Sequence, residues 1–350
     1  MSSGAKDGKG GPEPGKPSPR ALLELAALKA RLLKLPEGAP GTLYIALTYR
    51  CDLSCRHCKY RSSAPGPDMP FGDLRRLLEN AAASGIPRVA FFGGEPLLYP
   101  RLEQAVRLAS GLGLFTQLDT NGQTLGARRA LELAAAGLSL ATISLHSADE
   151  AGHDALSGLG SFRKAIAAVS AALRAGLFVH VSSCFFSAGL SSGEPGRLAA
   201  FARGLGAHGA RALLYSPPEG GSADLPRRLS KALAAADLDG FSRGCVRSGR
   251  RACAAAAGDI LFTDAGLNVK SCPYSVRSLG KATAGLRRFF GGERAPAGLF
   301  PCHSPRPSCR AASAGRNFAK IIRCERLGRT KPYPNPSAGA RPVKRPSSLT

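Results

Sequence analysis

Three closely spaced cysteines could hold one metal centre. Cys51, Cys55 and Cys58 form a Cys-x₃-Cys-x₂-Cys cluster directly after the apolar run 43–47. Structural zinc sites use four ligands, commonly as Cys-x₂-Cys pairs, and only one such pair is present here. A cubane iron–sulfur cluster takes one thiolate per iron, normally four. Three cysteines would leave one iron free to hold a substrate, because His57, between two of the ligands, would be strained as a fourth. A zinc knuckle stays an alternative on these residues alone.

A second stretch, Gly93-Gly94-Glu95-Pro96, follows the next apolar run. Two glycines let another molecule approach the backbone closely, and Pro96 stops strand pairing so that carbonyl groups stay unpaired. Exposed carbonyls together with the Glu95 carboxylate could accept hydrogen bonds from an ammonium group. A simple strand-ending turn is the alternative interpretation.

Together, the two stretches resemble the radical S-adenosylmethionine (SAM) enzymes. In that family a three-cysteine loop follows the first barrel strand, and an aromatic-type residue precedes the last cysteine, as His57 does here. The resemblance implies a [4Fe–4S] cluster on the three cysteines, with its open iron chelating the amino and carboxylate groups of SAM. It also implies that Gly93, Gly94, Glu95 and Pro96 receive the methionine amino group.

Two further strand ends match the family less closely. Asp119-Thr120-Asn121-Gly122 resembles its Thr-Asn-Gly turn, which makes Asn121 a candidate cofactor-binding residue. Ser144 and His146 share one face of a strand because side chains alternate. Relatives often carry Ser with an acid here, so Ser144 and His146 are candidates for ribose or carboxylate contacts, or ordinary barrel lining. His153 is predicted to be an exposed helix residue and Cys184 a buried core cysteine.

The chemistry implied by the resemblance is a reductive cleavage. The cluster would give SAM one low-potential electron, and the products would be methionine and a 5′-deoxyadenosyl radical that takes a hydrogen atom from substrate. The protein would bind and orient the cofactor and the substrate, and it would exclude water. A small reductant protein such as flavodoxin or ferredoxin is the expected electron donor, and no catalytic acid or base is predicted.

The fold predicted from residue 42 onward is an alternation of strands and helices, which indicates a parallel sheet with helices outside. The strands are predicted at 42–49, 88–93, 114–119, 140–146, 177–184 and 210–215. The helices are predicted at 70–83, 100–111, 125–136, 161–175 and 194–204. Six units are too few for a complete eight-fold barrel. We therefore expect an α/β partial (βα)₆ TIM-like barrel, with chemistry at the carboxyl ends of its strands.

The regions outside the barrel are predicted as follows. Residues 1–20 are a disordered basic tail, and 21–41 hold a helix and linker, with a leucine stripe at 22, 25, 28, 32 and 35 packing on the outside of the barrel. The barrel core spans 42–220, a connecting helix 221–244, an auxiliary domain 245–326 and a second disordered basic tail 327–350.

The auxiliary domain is cysteine-rich and of α+β type. Short strands at 259–263 and 267–270 read as a hairpin, with Cys253 before it and Cys272-Pro273 at its exit. This resembles the SPASM or twitch domains that hold auxiliary clusters in many radical SAM enzymes. We expect one auxiliary [4Fe–4S] cluster on Cys253, Cys272 and two of Cys302, Cys309 and Cys324; zinc is the alternative.

The composition indicates which partners the protein could bind and where in the cell it is expected. A formal charge of +24 over 350 residues attracts polyanions, so RNA is an alternative partner, although compositional drift explains the charge more simply. Ten cysteines are too few for a secreted disulfide scaffold, and neither a signal peptide nor a membrane span is predicted. We expect a cytoplasmic protein without a membrane partner.

The substrate is predicted only by class. An auxiliary cluster points to an oxidation or cross-link, and the expected substrate is a peptide or a small-molecule cofactor precursor. Alternatives are a radical SAM enzyme that modifies RNA, a non-enzymatic iron–sulfur electron carrier and a zinc-dependent nucleic-acid binder. A carrier has no need of Gly-Gly-Glu-Pro or of a barrel.

Overall fold

The computed structural model describes residues 16–36, 39–58, 66–185, 193–214, 242–243, 258–271, 273, 275 and 278–290. Within them, strands form one sheet in the order β10-β9-β8-β1-β2-β3-β4-β5-β6-β7. The strands are β1 Thr42–Thr48, β2 Arg88–Gly93, β3 Phe115–Thr120, β4 Leu140–Ser144, β5 Phe178–Phe185, β6 Gly209–Leu214, β7 Ser242–Arg243, β8 Ile260–Thr263, β9 Asn268–Lys270 and β10 Gly280–Lys281.

Helices connect the parallel strands. They are α1 Pro19–Leu33, α2 Phe71–Ala83, α3 Leu102–Gly111, α4 Ala127–Ala136, α5 Glu150–Ser157, α6 Ser161–Arg174 and α7 Glu194–Gly204. Strands β1 to β6 pair in parallel with their sequence neighbours. The α/β partial TIM-barrel fold is therefore confirmed, with strand and helix bounds within two residues of the prediction.

The main core lies between the sheet and its outer helices. Leu43, Ile45 and Leu47 of β1 pack with Leu74 and Leu78 of α2, and all five side chains are fully buried. Because successive side chains on a strand alternate, the residues between these apolar positions face the inside of the barrel. The helices thus hold the strand ends in place without filling the interior.

Helix α1 closes the amino end of the barrel. Ser18 caps it by accepting a hydrogen bond from the Ala21 backbone. Its Leu28 packs with Phe115 and Phe178, the first residues of β3 and β5. The prediction of a leucine stripe on the outside of the barrel was wrong at Leu22, which is 45% exposed. Residues 16–20, predicted as disordered tail, include the cap and the start of this helix.

The predicted hairpin is present as β8 and β9. Its first strand pairs in parallel with β1, from Thr42 opposite Ile260 to Ile45 opposite Thr263. The hairpin thus extends the barrel sheet, a relationship that the sequence analysis did not predict. Strand β7 falls inside the range predicted as a connecting helix, 221–244, where it pairs with β6.

Several predictions fall outside the described residues. They include the five predicted auxiliary ligands Cys253, Cys272, Cys302, Cys309 and Cys324, the tail 327–350 and most of 215–257. The domain boundaries and the auxiliary cluster stay predictions. Among the helices that the structure does describe, none combines the length and apolar character needed to cross a membrane.

Candidate functional site

The cysteine loop leaves the carboxyl end of β1 and lies against α5. The backbone N–H of Arg56 donates to the Leu156 carbonyl at 2.9 Å, and the Cys58 N–H donates to the Cys55 carbonyl at 3.1 Å. The Cys55 Sγ lies 4.0 Å from the Ser157 carbonyl oxygen. The loop is therefore held by a hydrogen bond within its own turn and by a hydrogen bond to the end of α5.

Gly93 and Gly94 bring β2 against the segment that leads into the loop. A Cβ on Gly94 would lie 2.2 Å from the Arg50 carbonyl oxygen, and one on Gly93 would lie 2.4 Å from that of Thr48. Those two carbonyls accept hydrogen bonds from Glu95 and Gly94 respectively, at 2.8 Å each. The sequence analysis assigned the glycines to the approach of another molecule. In the structure the chain itself makes the close approach.

Glu95 ties β2 to the turn after β3. Its side chain is fully buried. Oε1 accepts from the Leu97 N–H at 2.9 Å and from the Thr120 hydroxyl at 2.7 Å, and Oε2 accepts from the Asn121 N–H at 2.8 Å. Burial raises the pKa of Glu95 to about 7, although these hydrogen bonds act in the opposite direction. Pro96 is buried at the start of the short helix that follows.

Asn121 connects that turn to the cysteine loop. Its Nδ2 donates to Asp52 Oδ1 at 2.6 Å and lies 3.8 Å from Cys51 Sγ. Asp52 was not among the predicted site residues. No sequence pattern marked it, because the contact joins loops from two separate strands.

Three histidines meet beside the loop. The His57 and His146 rings are 4.5 Å apart, edge to face, and the His146 and His153 rings stack at 5.5 Å. His153 is only 2% exposed, so its prediction as an exposed helix residue was wrong. It is buried because its Nδ1 accepts the His146 backbone N–H at 3.1 Å. Burial lowers the pKa of all three imidazoles, that of His153 to about 4.

Cys184 and Ser144 line the inner side of the same edge. Cys184 is half-buried, which corrects its prediction as a core cysteine. Its N–H donates to His146 Nδ1 at 3.1 Å. Ser144 ends β4 and is also half-buried. Two predicted residues, His146 and Asn121, thus contact the cysteine loop or its histidine.

The three thiols themselves are free cysteines, one exposed and two half-buried. In the described ranges, no three His, Cys, Asp or Glu side chains converge on the position of a single metal ion. Burial raises the pKa of the Cys51 and Cys55 thiols, so both are protonated at neutral pH until a metal displaces the proton.

Residues 45–195 match the family model described as the Radical SAM superfamily. This stretch of the chain is similar to the radical SAM superfamily. It runs from β1 to the start of α7 and includes the cysteine loop, the glycine pair, Asn121 and the three histidines.

Curated relatives match over part of this chain. A PqqA peptide cyclase of Xanthomonas campestris pv. campestris is 36% identical over 138 residues, which is 39% of this chain and 37% of that protein. A GTP 3′,8-cyclase of a Synechococcus species is 42% identical over 127 residues, 35% of this chain and 37% of the relative. The matches span little more than a third of either relative.

Solved structures share the fold over a larger span. SuiB of Streptococcus suis, bound to SAM, superposes with a TM-score of 0.59 at 18% identity, over 75% of this chain and 67% of SuiB. The same protein bound to its precursor peptide SuiA gives 0.60 at 17% identity, over 79% of this chain and 69% of SuiB. At 17–18% identity, this similarity shows a shared fold and nothing further.

The family whose model matches implies a [4Fe–4S] cluster and SAM, and the three thiols are donors of the kind that such a cluster takes. Soft thiolates are the ligands that iron–sulfur clusters take, and a cubane places each thiolate on a different iron. Three sulfurs spread along one loop, rather than converging on one point, are compatible with such a cluster. Cys51, Cys55 and Cys58 would hold the cluster. The backbone at Gly93–Glu95 lies at the same carboxyl edge of the sheet, where it would be available to contact SAM.

Proposed function

We propose that the protein is a radical SAM enzyme. It cleaves SAM reductively to a 5′-deoxyadenosyl radical, which abstracts hydrogen from a peptide or cofactor-precursor substrate in an oxidation or cross-linking. The observation that carries the proposal is the connection of three strand ends at one edge: the cysteine loop, the Gly93–Pro96 turn and the Asn121 turn are joined by direct hydrogen bonds.

The residues of this chain position the reaction. When bound, a [4Fe–4S] cluster supplies the low-potential electron that breaks the C–S bond of SAM. Gly93 and Gly94 fix the loop that carries the thiols, because larger residues would push it off β2. Glu95 and Asn121 fix the neighbouring turn. A rigid edge of this kind orients a bound cofactor against substrate.

A peptide substrate is the favoured class. The PqqA peptide cyclase relative is named for a peptide substrate, and SuiB was solved with a precursor peptide. A flavodoxin or ferredoxin as electron donor, and an auxiliary [4Fe–4S] cluster on Cys253, Cys272 and two of Cys302, Cys309 and Cys324, complete the proposal.

The experiment is SAM cleavage after anaerobic reconstitution. Full-length protein with reductant and SAM should form 5′-deoxyadenosine, measured by liquid chromatography and mass spectrometry. Cys55→Ala should abolish the product, because one iron loses its ligand, while Cys184→Ala should retain it. Equal product from Cys55→Ala would overturn the proposal. Iron content should be about eight per chain with both clusters and about four with the first alone.

A further inference from the structure

An open groove with a volume of about 500 Å³ lies between α2 and α3, on the outside of the barrel. Phe71 of α2 and Leu108 and Leu112 of α3 form its apolar floor, since all three are partly buried and pack against the main core. Three exposed arginines, hereafter the groove arginines, stand around that floor: Arg75, Arg101 and Arg107. The groove thus combines an apolar surface with a cluster of positive charge.

Arg101 is held in a fixed orientation. Its guanidinium carbon lies 3.9 Å from the centre of the Phe71 ring, and its Nε donates to Gln104 Oε1 at 2.6 Å. The Arg75 guanidinium lies 5.9 Å from the same ring centre. An arginine that is stacked and hydrogen-bonded in this way is already ordered, so less entropy is lost when it binds a ligand. Within the described part of the chain, both Nη groups of Arg101 are without a hydrogen bond and stay available as donors.

The groove arginines have no carboxylate of their own. Within the described ranges, none of the three lies within ion-pair distance of an Asp or Glu side chain. Of the three carboxylates on these two helices, Asp73 pairs with Arg76, and Glu103 pairs with an arginine of α4. The third, Glu79, lies one turn after Arg75 and does not line the groove. The complementary ligand is therefore acidic and carries an apolar group.

The groove begins at the edge of the sheet that carries the cysteine loop. Arg50, the residue before Cys51, donates from Nη2 to the Leu98 carbonyl at 2.7 Å, and Arg101 follows three residues later. From Arg101 to Gly111 the helix rises about 15 Å, which is the length of about five residues of extended peptide. A peptide bound along the groove thus has one end at the edge of the cysteine loop.

The groove favours a peptide over a nucleic acid. Proteins that bind single-stranded nucleic acid offer aromatic faces on which bases stack. The aromatic ring of this groove, that of Phe71, is already covered by the Arg101 guanidinium. The rest of the floor is aliphatic, at Leu108 and Leu112, and aliphatic surface suits the side chains of a peptide better than it suits a base.

We propose that the groove between α2 and α3 binds an acidic segment of a peptide substrate, separate from the residues that react. The Asp or Glu carboxylates of this segment bind the groove arginines through charge-assisted hydrogen bonds, and an apolar side chain packs on Phe71 and Leu108. Binding at this second place raises the effective concentration of the reacting segment at the sheet edge. The inference rests on the proposed function only in calling the peptide a substrate.

The test compares two hexapeptides of nearly the same shape, one of alternating Glu and Leu and one of alternating Gln and Leu. Both carry the same fluorescent label, and their binding to full-length protein is measured by fluorescence anisotropy at fixed ionic strength. An exposed charge pair contributes roughly twofold in affinity, so three pairs should give the Glu peptide an advantage of about tenfold. A groove variant with Arg75→Gln, Arg101→Gln and Arg107→Gln should lose that advantage. Equal binding of the two peptides to the unaltered protein would overturn the inference.

A control variant removes the same amount of positive charge elsewhere. It carries Gln in place of three exposed cations of α6 and α7: Lys164, Arg174 and Arg203. The control is needed because a protein with a formal charge of +24 attracts any anion weakly. The control variant should keep the tenfold advantage of the Glu peptide. An equal loss in the groove variant and the control variant would show attraction by net charge alone and would overturn the inference.

A labelled uridine hexamer tests for nucleic acid under the same conditions. Its binding should be equal in the groove variant and the control variant, whereas RNA binding that is lost only in the groove variant would assign the groove to nucleic acid and overturn the inference. None of these measurements needs the cluster or SAM. SAM cleavage without charge-selective peptide binding overturns this inference alone, and charge-selective binding in the groove without SAM cleavage overturns the proposed function alone.

Discussion

Asn121 donates a hydrogen bond to Asp52 at 2.6 Å, although the two residues are 69 positions apart in the chain. The same amide nitrogen lies 3.8 Å from the sulfur of Cys51. Because the Asn121 backbone is held by the buried Glu95, the position of the cysteine loop depends on the two strand ends beside it. The first two predictions follow from that dependence.

Asn121→Ala should loosen the cysteine loop. Removing the amide costs one hydrogen bond to a carboxylate at a partly exposed site, so the free energy of unfolding should fall by about 1 kcal/mol. Iron retained after anaerobic reconstitution should fall several-fold, because the loop samples more conformations. Gln104→Ala is the matched control, since it removes an exposed amide that contacts Arg101 on α3. Equal iron retention in the two variants would contradict the role of Asn121.

Gly94→Ala should displace the loop outright. The added Cβ would lie 2.2 Å from a backbone oxygen that cannot move independently of the loop. We expect a loss of more than about 2 kcal/mol in the free energy of unfolding, measured by urea denaturation, together with loss of iron binding. Gly111→Ala is the control, because nothing lies within 4 Å of its Cβ; it should change stability by less than about 1 kcal/mol. Normal iron binding by Gly94→Ala would show that the close approach is not needed.

Asp119→Ala should destabilise the barrel through Arg211. The carboxylate is 6% exposed and the guanidinium 19% exposed, so removing Asp119 leaves a largely buried charge without this partner. The free energy of unfolding should fall by about 3 kcal/mol, the lower end of the range for breaking a buried ion pair. Glu132→Ala breaks the exposed pair with Arg128 and should cost less than about 0.5 kcal/mol. Similar urea midpoints for the two variants would contradict the buried character of the Asp119 pair.

His180 should make stability depend on pH between about 4 and 6.5. Its folded pKa, about 4, lies below the ordinary value of 6.5. The unfolded chain therefore binds the proton first as pH falls, and stability present above pH 6.5 is lost toward pH 4, by at most about 1.4 kcal/mol per pH unit.

Two measurements check this pH dependence. The imidazole NMR signal of His180 should not shift between pH 7 and 5.5, and His180→Gln should reduce the slope of urea midpoint against pH. The pKa of His153 is also lowered, so His153 also makes stability fall as pH falls. Some dependence of the urea midpoint on pH should therefore remain in His180→Gln. An imidazole signal that titrates near pH 6.5 would contradict the assignment.

The barrel strands could be predicted because each is a short apolar run separated from the next by a helix-length segment. The pairing of β8 with β1 could not, because residues 260 and 42 are far apart in the chain and no local pattern sets their register. The position of α1 was also missed. Its leucines show the helical period, but only the structure shows that Leu28 meets the amino ends of β3 and β5.

The candidate site was predictable in its motifs and not in its connections. The cysteine spacing and Gly-Gly-Glu-Pro are local, and they placed the site at the right edge of the sheet. The tie from Asp52 to Asn121 and the stacking of His153 on His146 join separate loops. The ion pair between Asp119 and Arg211 was missed for the same reason, since its two residues come from β3 and β6.

Electron paramagnetic resonance of the reduced, reconstituted protein with and without SAM tests the central claim most directly. A cluster held by Cys51, Cys55 and Cys58 keeps one iron open, so added SAM should change the g-values of the reduced cluster, and adding methionine amide in its place should not reproduce the change. A cluster signal that SAM leaves unchanged, or protein that binds only zinc, would contradict the account.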